Sequence, residues 1–432
     1  DDRGDSWTPI SDDLTRQIDR NELEIMGKVW SVDTVAKNRS TSFYGSIVSL
    51  TESPLVEGLI YAGTDDGLVQ VTEDGGATWR RIESFPGVPS MTYVSDLEAS
   101  VHDADTVYAT FNNHKSGDFE PYVLKSADRG ATWTSIAGDL PERGSVHTVA
   151  QDHERAELLF AGTEFGAFVS VDEGGHWVQL SAGIPVIAVR DIDIQRREND
   201  LVLATFGRGF YILDDYSPLR ELDSEGPEEV AQLFAPRRAF LFNESMELGY
   251  PGKGFQGDTF FNEKNPPYGA IATYYLPEGL ESLQDSRRKA EKEAEEAGES
   301  VSYPSWDELR AEDREKAPVV WLTVRDADGA VVRRVTGPTA KGFHRVAWDL
   351  RYPAAVPASL TPPGFQPFGS PPMGPAVAPG RYTMTLSQRI GGETTELAGP
   401  VEFEVEALGL GILEAEDRAA VLAFQRETAR LQ

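Results

Sequence analysis

Three carboxylates stand in short turns between β-type runs: Asp65 and Asp66 in Thr64-Asp65-Asp66-Gly67, and Glu164 in Thr163-Glu164-Phe165-Gly166. Paired as general acid and base or nucleophile, two such groups could hydrolyse a glycosidic bond. That chemistry requires them about 5–5.5 Å apart for retention or roughly 6.5–9.5 Å apart for inversion. Comparable turns carry Asn113, His114 and Arg208, donors suited to holding a polar ligand. Asp-Asp-Gly and Glu-Phe-Gly are also ordinary hairpin turns, and that plainer reading outweighs the catalytic one. The Asn112 loop also lies between Asp66 and Glu164, which makes close pairing harder.

Other chemistries find no support. The six His residues show neither HxH nor HExxH spacing, so no metal site is expected. With no Cys there are no disulfides, thiolate ligands or Cys nucleophiles. No Gly-rich loop links a strand to a helix as phosphate binding requires, and no cofactor is expected. The formal charge of −31 over 432 residues repels phosphate backbones, which argues against a nucleic-acid partner. No run of about 18 apolar residues is present to span a membrane as a helix.

The turns belong to a repeat. Ser170, Asp172, Gly174 and Trp177 recur in order as Ser126, Asp128, Gly130 and Trp133, and as Thr72, Asp74, Gly76 and Trp79; Asp2, Gly4 and Trp7 form a shortened fourth copy. In each copy the Asp caps a Gly-rich hairpin and the Trp lands on the next strand, where its ring can wedge between sheets. The aspartates therefore read as structural, each committed to its own turn. Successive copies lie 54 and 44 residues apart, with four short β-type runs in each interval. That is the period of a β-propeller blade. The last unit, Val189–Ile194, Leu201–Phe206 and Phe210–Asp214, offers three strands. Its fourth would come from upstream of residue 1 or from Ser6–Ile10, which would close a four-bladed ring.

This pattern resembles the Asp-box repeat of sialidases, sortilin-type propellers and xyloglucanase-type glycoside hydrolases. "YAGTDDGLVQVTEDGGATW", "AGTEFGAFVSVDEGGHW" and "LVLATFGRGFYILDDYSPLR" resemble the C-terminal portion of bacterial sortilin-like or BNR-repeat glycosyl hydrolase-like proteins, over residues 1 to about 405. The resemblance implies a longer propeller followed by a β-sandwich, an extracellular or periplasmic location, and a ligand face opposite the Asp boxes. That face would carry Asp65, Asp66, Asn113, His114, Glu164 and Arg208. A sialidase would need three Arg and a Tyr–Glu pair, and only Arg208 is well placed. A xyloglucanase-type cleft would be shared with a missing N-terminal propeller.

The expected fold is all-β: a partial or four-bladed Asp-box β-propeller over residues 1–220, a linker over 221–235, and an immunoglobulin- or fibronectin-like β-sandwich over 236–405. A helical insertion over 281–316 and a Pro-rich loop over 353–379 interrupt the sandwich, and a C-terminal helix is expected within 406–432. The expected function is a secreted module that binds a polypeptide or glycan, with the missing N-terminal part or partner subunits completing it. The alternatives are a glycoside hydrolase with a shared cleft and a structural subunit of a surface assembly.

Overall fold

The structure is a computed structural model that describes residues 3–35, 37, 39, 44–224, 226–227, 229–244, 257, 259, 261–356, 372–409 and 417–431. Asp2, residues 357–371 of the Pro-rich stretch and residues 410–416 lie outside the described residues. The chain divides into two compact units, Asp1–Ser224 and Glu225–Gln432.

Unit 1 is a series of antiparallel meanders. The first sheet is β1 (Ile47–Glu52), β2 (Ile60–Thr64), β3 (Val69–Thr72) and β4 (Arg80–Ile82). The second is β5 (Tyr93–Ala99), β6 (Val107–Asn112), β7 (Tyr122–Ser126) and β8 (Thr134–Ser135). The third is β9 (Val146–Gln151), β10 (Leu159–Thr163), β11 (Gly166–Ser170) and β12 (Val178–Leu180). The fourth holds β13 (Val189–Gln195), β14 (Asp200–Thr205) and β15 (Gly209–Leu213).

The first strands β1, β5, β9 and β13 touch in series, and a separate apolar core fills each seam between successive sheets. Tyr61 and Val71 meet Val94 and Phe111 in the first seam, and Tyr108 and Val123 meet Val146 and Phe168 in the second. Phe160 and Val169 meet Val189 and Leu203 in the third. Sheets stacked through both faces around their inner strands are the blades of a propeller-like arc, and burial on both faces explains why β2, β10 and β11 carry almost no charged or large polar residues.

The seams are close enough to dictate sequence. A Cβ on Gly63 would lie 2.6 Å from Val94 Cγ1, and one on Gly162 would lie 2.8 Å from the Val189 carbonyl oxygen and 2.6 Å from Thr148 Cγ2. The repeated Ala-Gly-Thr of β2 and β10 is thus the clearance for the next inner strand. Gly162→Ala is expected to cost about 1–3 kcal/mol through overpacking against backbone. Urea denaturation measures it, and an unchanged midpoint would refute the close-approach account.

The repeated aspartates behave alike. Asp74 Oδ1 accepts from Thr72 Oγ1 and Thr78 N, both at 2.8 Å. Asp128 Oδ1 accepts from Ser126 Oγ at 2.8 Å and Thr132 N at 2.7 Å, and Asp172 Oδ1 accepts from Ser170 Oγ at 2.8 Å and His176 N at 2.9 Å. These bonds hold all three carboxyls below the usual carboxylate range. Trp177 Nε1 donates to the Ile136 carbonyl at 2.9 Å, reaching back across the seam, while Trp133 Nε1 bonds the Gly130 carbonyl of its own turn at 3.1 Å.

Trp79 shows where the first segment of the chain belongs. Its Nε1 donates to the Ile10 carbonyl at 3.1 Å, and Ile10 sits against Gly76 as Ile136 sits against Gly174. Ile82 likewise lies beside Gly130. Ile10 therefore occupies, in front of the first sheet, the place that the end of a fourth strand occupies in front of the next. Residues 6–10 form no strand and do not complete the sheet of β13, β14 and β15.

That last sheet is secured instead by a buried latch. Asp152, at 0% exposure, accepts from Tyr216 Oη at 2.5 Å and from Arg220 Nε and Nη2 at 2.9 and 2.8 Å. The backbone N–H groups of Glu154 and Arg155 complete its shell, and the Tyr216 ring packs edge-on against Phe160.

Unit 2 packs two sheets face to face. One is β16 (Gln232–Phe234), β18 (Ala270–Leu276) and β21 (Gly342–Trp348); the other runs β17 (Ala239–Leu241), β23 (Glu393–Ala407), β22 (Gly380–Ile390), β19 (Val319–Arg325) and β20 (Val331–Gly337) in that spatial order. Residues 232–234, at the end of the stretch read as linker, thus form a strand. Ala272, Tyr274 and Trp348 from the first sheet share a core with Val320, Leu322, Met384 and Leu386 from the second. Helices α1 (Leu283–Glu296) and α2 (Trp306–Arg314) lie between β18 and β19, capped by Ser282 and by a Ser305–Glu308 capping box. Helix α3 (Arg418–Leu431) packs Leu422 on the core.

Candidate functional site

In an antiparallel meander the turns alternate between the two ends of the sheet. The β3–β4, β7–β8 and β11–β12 turns carry the repeated aspartates. The β2–β3, β6–β7, β10–β11 and β14–β15 turns, with Asp65 and Asp66, Asn113 and His114, Glu164, and Arg208, stand at the opposite ends.

Side-chain placement separates these residues. Asp66 is fully buried: its Oδ1 accepts from Thr64 Oγ1 at 2.6 Å, and its Oδ2 from Arg16 N at 2.7 Å. Asp65 Oδ1 accepts from the backbone N–H of Gly45 and Ser46 at 3.0 and 2.8 Å. Both carboxylates thus fasten the chain around residues 16 and 45 to the first sheet. Asn113 donates to Asp118 Oδ2 at 2.8 Å and opens the one-turn 3-10 helix His114–Ser116. Arg208 is exposed on its turn, apart from the others.

His114 and Glu164 are linked through Asn112 and His147, in company that the turns alone did not reveal. His114 lines a pocket of about 290 Å³ with Tyr93, Ser95, Asn112, Lys115, His147 and Arg190. Glu164 Oε2 accepts from His147 Nε2 at 2.9 Å and Arg190 Nη2 at 3.4 Å. On the other side of the ring, His147 Nδ1 faces Asn112 Nδ2 at 3.2 Å and Arg190 Nη1 at 3.4 Å. Both are donors, so Nδ1 accepts and Nε2 carries the proton. Asn112 Oδ1 in turn faces His114 Nδ1 at 2.5 Å. Burial, above all, holds the His147 pKa below its ordinary value, with the Arg190 charge acting in the same direction. Burial and then the Asp65 charge raise the Tyr93 phenol. The Ser95 hydroxyl is buried without a hydrogen-bond partner.

One backbone device supplies three of these side chains. Along each inner strand the ladder to its neighbour skips one residue: Val48 in β1, Ser95 in β5, His147 in β9 and Arg190 in β13. A bulge leaves its residue unpaired and re-aims the side chain. Repeated from sheet to sheet, it delivers Ser95, His147 and Arg190 to one place. Lys115 and Arg190 make that place locally cationic on a chain of charge −31. Among the described residues no group of three or more His, Asp or Glu is arranged to hold a metal ion.

No family model and no curated protein matches the sequence. Among solved structures, YCF48 bound to D1 peptide aligns at 15% identity over 40% of this chain and 52% of its own, with a TM-score of 0.31. An ancestral GH74 enzyme aligns at 13% identity over 54% of this chain and 31% of its own, TM-score 0.33. The GH74 xyloglucanase from Xanthomonas campestris aligns at 14% over 37% and 26%, TM-score 0.29. The chain thus spans about half the length of YCF48 and under a third of these GH74 enzymes. These neighbours are β-propeller folds, the arrangement that the sheets of unit 1 display in their own right.

Proposed function

We propose that unit 1 is an Asp-box propeller module that binds a polypeptide or glycan ligand, as part of a larger, secreted, sortilin-like protein. The ligand contacts the ends of the sheets opposite the Asp turns, at the pocket of Ser95, Asn112, His114, His147 and Arg190. The observation that carries this reading is the repeated bulge, which sends one residue from each of three inner strands into the same pocket. A purely structural arc has no need of such convergence, nor of a buried hydroxyl left unbonded. A glycosidase needs a second carboxylate across the cleft. With Asp65 and Asp66 engaged by backbone donors, Glu164 is the carboxylate that touches the pocket's His147 and Arg190.

Binding of the whole chain to glycan and peptide arrays tests the reading. Arg190→Ala and Ser95→Trp, the one removing a cation and the other filling the cavity, are expected to abolish the signals that the native chain gives. Signals no stronger than those of denatured protein, or unaltered by both substitutions, would overturn it.

A further inference from the structure

The outer face of the larger sheet in unit 2 holds a second, independent candidate. Residues of β19 alternate between the core, with Val320, Leu322 and Val324, and the opposite face, with Trp321, Thr323 and Arg325. Register sets Thr323 beside Thr385 and Trp321 beside Ser387 on β22, and Thr323 beside Arg334 on β20. A groove of about 230 Å³ opens there.

Two features mark this groove as more than a sheet surface. Thr323, Thr385 and Ser387 line it at only 6%, 8% and 9% exposure, and their hydroxyls have no hydrogen-bond partner among the described residues. These hydroxyls open to the groove, where donors not taken up by the protein are free to meet an acceptor. Arginine is the second feature. Arg334 and Arg389 flank the Trp321 ring at 5.4 and 5.0 Å from its centroid, and Arg389 Nε is buried without a partner. Arg325 donates to the Gly329 carbonyl. In a chain with 71 acidic residues against 40 basic ones, none of these three arginines forms an ion pair among the described residues. Arg325 and Arg334 line the groove with one carboxylate, Glu396, so the charges of its lining sum to 2 − 1 = +1.

We propose that this groove binds a tetrahedral oxyanion, sulfate or phosphate, free or as a monoester. Its oxygens accept from Thr323, Thr385 and Ser387, Arg325 and Arg334 oppose its negative charge, and the remaining volume receives the group that bears it. The Trp321 ring, 5.4 Å from the Arg334 guanidinium, keeps that side chain extended over the groove. Arginine is suited to this task by its fork of donors and its permanent charge.

Titration calorimetry on the full chain, with sodium sulfate, sodium phosphate and a sugar monosulfate in separate arms against sodium chloride of equal ionic strength, tests the site. Saturable binding of at least one oxyanion is expected, and comparison of the arms shows which oxyanion and whether a bearing group is required. Arg334→Met, and separately Thr323→Val with Thr385→Val, are each expected to weaken it by about tenfold or more. The valines keep the β-branched shape, so an unchanged thermal midpoint certifies their fold. No saturable heat in any arm, or affinities equal to the native chain in both correctly folded variants, would overturn the proposal. Neither outcome bears on the pocket of unit 1.

Discussion

Replacing Asp152 by Ala is expected to lower the stability of unit 1 by about 3–5 kcal/mol, because it strands a buried guanidinium. Arg220 retains 12% side-chain exposure and sends two of its N–H groups to Asp152; the others reach Glu154 and Asn199 at the margin. Tyr216 loses its acceptor at the same time. Asp152→Asn, which keeps the shape and part of the bonding, should fall between. For Asp152 itself, burial is the largest influence and pushes the pKa up. Bonds from Arg220, Tyr216 and two backbone N–H groups outweigh it and leave the carboxyl below its ordinary value. A depressed carboxyl stabilises the fold above the unfolded pKa and ceases to do so as pH falls through the folded one. The native protein should therefore lose this contribution only below the ordinary carboxylate range, and the alanine variant should lack it at every pH. Urea unfolding followed by Trp fluorescence measures both, and a change under about 1 kcal/mol at neutral pH would show that the latch carries little.

Glu98 should give the protein the opposite pH dependence. It lies on β5, where burial first, then Asp96, and further off Asp193 and Asp191, push its carboxyl up to about 8; Arg196 opposes them. A raised acid binds a proton in the folded state that the unfolded chain has released. Its contribution is complete below the ordinary Glu value and disappears as pH climbs through the folded one. With allowance for partial exposure, the native chain should lose on the order of 3 kcal/mol between about pH 4.5 and 8.5 from this group. Glu98→Gln carries no titration and should flatten that stretch of the stability curve. Denaturation midpoints at pH 5, 6.5 and 8.5 decide the matter: parallel curves for the two proteins would exclude Glu98 as the origin.

The repeat was legible because its parts are local. Ser/Thr-x-Asp, the Gly that follows and the Trp three residues on are fixed by one turn, and their recurrence exposes the sheet count without any knowledge of packing. The pocket was not legible for the converse reason. Alternation assigns faces by counting in twos, and a bulge at Ser95, His147 or Arg190 shifts the count by one, so these residues read as ordinary strand positions. Aligning the four inner strands on Val-Ser-Asp-Leu, Val-His-Thr-Val, Val-Arg-Asp-Ile and Ile-Val-Ser-Leu would have exposed a column rich in polar residues. Asp65 and Asp66 illustrate the reverse difficulty: their carboxylates are engaged by residues 16, 45 and 46, contacts that no local pattern announces. In unit 2, alternation along β19 does place Trp321, Thr323 and Arg325 on one face, but it cannot show that their neighbours leave three hydroxyls unbonded.

The latch at Asp152 has a further consequence once the arc is viewed as a one-dimensional array. Each blade is held by its neighbours, so the array behaves as a chain of coupled units whose weakest seam opens first. Among the described residues, the sheet of β13, β14 and β15 has three strands and shares one apolar seam with the sheet before it. Tyr216 and Arg220 fold back from this sheet to a carboxylate anchored in the preceding one and act as a cross-link over that seam. They tie the unzipping of the last blade to that of the one before it and make the two a single cooperative block.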